Sequence, residues 1–126
     1  MSDVTTRGIR IQVASQFLDE HSKTDEGVWL FSYHVTIENV GEEPAQLINR
    51  HWIITDGWDK VEEVKGPGVI GEQPYLTPGE SFEYTSYCPL PTPTGTMHGS
   101  YEMRLDTGEM FHAEVGTFHL KEPGLQ

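Results

Sequence analysis

Apolar and polar residues alternate with a period near two along almost the whole chain. Ile9, Ile11 and Val13 alternate with Arg10 and Gln12. Trp29, Phe31, Tyr33, Val35 and Ile37 make the longest stripe, opposite Ser32, His34, Thr36 and Glu38. A period of two sends alternate side chains to opposite faces, so each run predicts a strand with one face in a core. Residues 46–55 depart from the rule. Ile48, Trp52 and Ile54 share a parity with Arg50, while Leu47 and Ile53 take the other. Either both faces are covered or a bulge shifts the phase.

Residues 60–64 predict a short edge strand. Phe82, Tyr84, Ser86 and Cys88 predict the next one. Pro89, Pro91 and Pro93 then predict an extended loop without regular structure. The last two strands predict a hairpin. Met97, Tyr101, Met103 and Leu105 alternate, Thr107 and Gly108 turn the chain, and Phe111, Ala113 and Val115 alternate back. Residues 16–26 and 120–126 read as loop and tail. No segment carries a long helical period.

About seven strands separated by turn signals predict an all-β fold, an immunoglobulin- or fibronectin-III-like antiparallel β-sandwich. The spacing Leu76-x-Pro78-Gly79-x-x-Phe82 suits a turn that crosses between the sheets of a fibronectin-III-like domain. With no internal repeat or linker, residues 1–126 read as a single domain, its core at about 7–123 with short flexible termini.

Charge narrows the function classes. The formal net charge is −12 over 126 residues, with carboxylates spread along the chain. That opposes binding to nucleic acid or to an anionic membrane. Cys88 is the only cysteine, so no intrachain disulfide forms, which suits a reducing compartment. The first ten residues lack the apolar core of a secretory signal. No apolar run approaches the roughly 20 residues that cross a bilayer. The cytoplasm is the default location.

Residues 64–87 carry the densest punctuation by glycine and proline. Gly66, Gly68 and Gly71 spell G-x-G-x-x-G, which in a dinucleotide fold opens a helix whose N-terminus faces a pyrophosphate. Pro74 and Pro78-Gly79 follow too soon for a helix. Two readings stay open. The loop cradles a small anion or nucleotide with backbone N–H groups, with Lys65 and Arg50 as cationic partners. Or it is a turn that needs positive φ. Glu62, Glu63 and Glu72 oppose the first.

Of the six histidines, His98 and His112 are expected to approach across the final hairpin, beside Glu102 and Glu114. Such a group would hold a first-row divalent ion weakly; ordinary exposed histidines are the other reading. No cofactor motif is present. Ser86 and Cys88 share a strand face with no histidine beside them in sequence, so no catalytic residue is assigned. Trp58, in an Asp-Gly-Trp-Asp turn, is either a protein-contact residue or packing over the end of the sandwich.

Several ordered motifs bear on family. They are Arg50-His51-Trp52-Ile53-Ile54, the run from Gly66 to Pro74, Pro78-Gly79-Glu80, Tyr84-Thr85-Ser86, and Gly95-Thr96-Met97-x-Gly99-x-Tyr101-x-Met103. Together with the opening strand they resemble the ApaG family over roughly residues 7–123. Tyr87 stands where small residues are common in that family. The resemblance implies an immunoglobulin- or fibronectin-III-like sandwich and a link to cobalt tolerance and magnesium efflux. Related eukaryotic domains sit in larger proteins, including an F-box protein and a polymerase-interacting protein, which implies protein contact. The expectation is a non-enzymatic interaction module with an unidentified protein partner. A small-anion or nucleotide binder using Arg50, Lys65 and residues 66–71 is the alternative. Monomer and dimer both stay open.

Overall fold

The computed structural model describes residues 1–124; the end of the expected flexible tail, Leu125 and Gln126, lies outside them. Among the described residues, nine strands form two antiparallel sheets. They are β1 (Ser2–Thr6), β2 (Ile9–Phe17), β3 (Trp29–Asn39), β4 (Ala45–Asp56), β5 (Val61–Pro67), β6 (Tyr75–Leu76), β7 (Ser81–Leu90), β8 (Thr94–Leu105) and β9 (Met110–Lys121). One sheet runs β1-β2-β3-β7. The other runs β5-β4-β8-β9, with β6 on the end of β4.

The sandwich follows from the period-two stripes. Ile9, Ile11 and Val13 of β2, and Phe31, Tyr33, Val35 and Ile37 of β3, are buried against Leu47, Trp52, Met97, Tyr101 and Phe118 of the opposing sheet. Trp52 meets Tyr33, Tyr101 and Phe118 edge-on, with ring centroids 5.4 to 6.0 Å apart. Tyr84 and Tyr101, one from each sheet, share a buried hydroxyl–hydroxyl hydrogen bond. Aromatic pairs of this geometry add about 0.5–1.5 kcal/mol each beyond area burial.

The broken parity of residues 46–55 is a bulge. The register of β4 on β8 shifts between Leu47 and Asn49, so Ile48 is the extra residue. Leu47 and Trp52, five apart, thereby reach the same core.

Three expectations need correction. Pro89 does not end regular structure: β7 continues through it to Leu90, which pairs with Trp29. β7 is an edge strand, and an edge tolerates a residue with no N–H to donate. Residues 120–121 are not tail. β9 runs to Lys121, and Leu120 is fully buried, because a second bulge at Met97/Gly99 re-phases β9 and turns Phe118 and Leu120 inward. Residues 16 and 17 are strand, and Phe17 pairs with Phe31. β1 and the two-residue β6 bring the strand count above seven.

Candidate functional site

The sandwich is closed along one side and open along the other. β9 packs on β1 and β2, while β5 and β7 stand apart at the opposite edges. A cleft of about 310 Å3 enters between the sheets there, lined by Tyr33, Arg50, Trp52, Glu62, Ser86 and Cys88 among others. A second cleft of about 450 Å3 lies on the outer face of the five-stranded sheet. Asn49, Arg50, His51, Lys65, Gly66 and His112 line it, with Ser100 and Glu102.

Arg50 belongs to both. Two residues before Trp52 on β4, it shares that residue's face, and across the β4–β5 pair it faces Gly66. Its Nη1 donates to the carbonyl oxygens of Pro67 and Gly68, each at 2.9 Å. A Cβ on residue 66 would stand 3.0 Å from Nη2, so glycine there makes room for the guanidinium. The charge of Arg50 favours ionisation of the Tyr33, Tyr84 and Tyr101 hydroxyls. Burial outweighs it, and all three phenols are held above their ordinary range.

The glycine loop is a tight hairpin turn. Val69 and Glu72 exchange backbone hydrogen bonds at 2.8 and 2.9 Å. The two residues between them, Ile70 and Gly71, have φ of 48° and 74°. Positive φ at both central positions is the type I′ pattern of two-residue hairpins. Gly68 also has positive φ, and its N–H donates to Ile48 O at 2.9 Å. The N–H groups of Gly68, Val69 and Glu72 are thus all engaged within the protein. Arg50, Lys65 and Gly66 converge on the outer cleft, but Gly68 and Gly71 do not line it. Lys65 is exposed, its Nζ 3.9 Å from Glu63.

Trp58 is 73% exposed. The turn beneath it is firmly built. Asp56 Oδ1 accepts from the N–H of Trp58 at 2.8 Å and of Lys60 at 3.0 Å, and Gly57 N–H donates to Thr92 Oγ1. The indole therefore projects from a fixed backbone and does not cap the sandwich.

His98 and His112 share the outer face without meeting. His112 lies opposite Glu102, whereas His98 sits four residues away along β8, roughly 13 Å at strand spacing. Among the described residues no three His, Cys, Asp or Glu side chains converge as a metal-binding group. Glu102 instead accepts from Asn49 Nδ2 at 2.7 Å. The Cys88 thiol is pushed up to about 11, chiefly by burial and further by Glu62, so it stays protonated at neutral pH. No helix among the described residues is long and apolar enough to cross a membrane.

Sequence reasoning missed His51, Ser100 and Asn49 as cleft-lining residues. Asn49 and His51 reach the face of Ser100 only because of the Ile48 bulge, which the pattern signals but does not locate. His51 Nε2 lies 3.5 Å from Glu63 Oε2 without the alignment of a hydrogen bond.

Comparison with known proteins places these motifs in a family. A family profile described as the ApaG domain matches residues 19–105. The Protein ApaG of Anaeromyxobacter dehalogenans is 52% identical over 124 residues, covering 98% of each chain. The Protein ApaG of Aromatoleum aromaticum is 50% identical over 123 residues, 98% of this chain and 97% of its own. A crystal structure from Bordetella pertussis, described as an ApaA protein, superposes with a TM-score of 0.90 at 47% identity, covering 93% of this chain and 95% of its own.

Proposed function

The chain belongs to the ApaG family, and from that premise we propose that it is a non-enzymatic protein-interaction module acting in the cytoplasm, with a part in cobalt tolerance and magnesium efflux. The observation that carries the contact role is Trp58. A tryptophan that stands 73% exposed on a rigid turn is a large apolar surface already fixed for binding. Buried on contact, such an anchor commonly contributes 2 kcal/mol or more. Val61, at the start of β5, is also exposed.

A small-anion or nucleotide site is the second reading, favoured by the convergence of Arg50, Lys65, His51 and His112 on the outer cleft. Two features oppose it. Arg50 already donates to two backbone carbonyls, and Glu102 shares the cleft. A polyanion there would have to compete for the guanidinium and face a net charge of −12.

The test is complementation in a bacterium deleted for its own family member. Wild type restores growth in cobalt, and Trp58→Ala at equal expression does not. Equal rescue by both would refute the contact role of Trp58. Titration of wild type with pyrophosphate, ATP and cobalt decides the other reading; micromolar, salt-sensitive anion binding would establish it.

A further inference from the structure

We infer that the free edge of β5 receives an extended basic segment of a partner protein as an added strand. This rests on the protein-contact reading above and names its place and chemistry.

β5 pairs with β4 on one side and with no described strand on the other. An edge strand turns a row of backbone N–H and C=O groups outward, a template for another strand. Edges are often blunted by a bulge or an internal proline. The register of β5 on β4 is unbroken from Thr55 opposite Val61 to Asn49 opposite Pro67, and its proline comes last. β7, the edge across the cleft, is the poorer template. It carries Pro89, and its Glu83 is engaged by His34 and Thr36.

The two sides of β5 offer different pockets. Side chains of an added strand alternate between them. On the inner side they would enter the inter-sheet cleft, walled by Trp52, Ile54 and Val64 with Glu62 at β5 itself. On the outer side they would pass Glu63. Exposed apolar side chains stand at both ends of the strand, Trp58 before it and Ile70 after it, each on a tight turn. Seven residues of β5 span about 23 Å, so a segment of similar length would run along the whole strand between these two turns.

Charge selects the occupant. Glu62 and Glu63 are adjacent on β5, one on each side, and the ammonium of Lys65 lies against Glu63. Lys or Arg side chains on the segment would find a carboxylate on either side, and the charge of −12 would steer a basic partner toward the molecule.

The probe is a capped seven-residue peptide alternating Lys and Val. Controls are the same peptide N-methylated at alternate residues and a Glu/Val counterpart. The Lys/Val peptide should bind wild type saturably and slow amide exchange within residues 61–66. N-methylation on the pairing edge should weaken it about tenfold or more, since it removes ladder hydrogen bonds. The exposed double substitution Glu62→Gln, Glu63→Gln should weaken it several-fold, more at low salt. Equal affinity of the methylated and plain peptides, protection on β7 instead of β5, or no saturable binding at millimolar peptide would each overturn the proposal. Trp58-dependent cobalt tolerance with β5 unprotected would discard strand addition and keep the contact reading. Loss of both would discard both.

Discussion

Arg50 and Gly66 face each other across the β4–β5 pair, and the guanidinium of one fills the space where the other has no side chain. The pair holds the end of β5 and the start of the glycine turn, because Arg50 Nη1 bonds the carbonyls of Pro67 and Gly68. Gly66→Ala should displace the guanidinium and lower stability by about 1–2 kcal/mol. Arg50→Ala should cost a similar amount, and the double variant less than the sum. Denaturant midpoints at constant m-value measure all three. Strict additivity would show that the two residues act independently.

The glycine turn gives a sharper contrast. A Cβ on residue 68 would stand 2.3 Å from Glu72 O, at a φ of 62°. Gly68→Ala should therefore destabilise by more than the roughly 1 kcal/mol of a left-handed backbone alone. Ile70 already occupies that region as an exposed β-branched residue. Ile70→Asn creates the Asn-Gly pair that type I′ turns favour, and should stabilise by about 1 kcal/mol. Thermal midpoints moving in opposite directions for these two substitutions would confirm the turn; a fall in both would contradict it.

The core should respond on a larger scale. Phe31 is fully buried, packed by Phe17 at a 5.4 Å centroid distance. Phe31→Ala should cost about 3–5 kcal/mol, a large share of a small domain's stability. An unchanged midpoint would place Phe31 on the wrong face.

Alkaline pH should loosen the fold. Cys88 is raised to about 11, chiefly by burial, from an ordinary value near 9. The unfolded thiol ionises first as pH rises, so the native state binds more protons and stability falls with pH. The contribution of Cys88 is complete below pH 9 and is lost as pH rises through about 11. Buried Tyr84 and Tyr101, held above their ordinary values by burial, act in the same direction at higher pH. Melting temperatures from pH 8 to 11 test the slope. Cys88→Ser should flatten it near pH 9–11.

Much of this was legible in the sequence because half-buried strands write their faces into a period of two. The Trp29–Ile37 stripe reads directly as the core face of β3. The edge position of β5 is readable from its short, charged run. What escaped depends on phase. One inserted residue at Ile48, and another irregularity near His98, turn whole strand ends to the other face, so Leu120 read as tail and the outward face of Asn49 and His51 went unread. Backbone commitments escaped too. That Val69 and Glu72 bond each other, and that Arg50 serves carbonyls, is a matter of turn geometry that glycine spacing leaves open.

The contact role of Trp58 is tested most directly by capture from bacterial cytosol, with wild type and Trp58→Ala immobilised side by side, with and without divalent metal. Trp58 makes its backbone contacts through its N–H, so the alanine variant should melt within a degree or two of wild type. The expected result is a discrete set of proteins retained by wild type and lost from Trp58→Ala. Identical sets on both, from two equally stable proteins, would contradict the central claim.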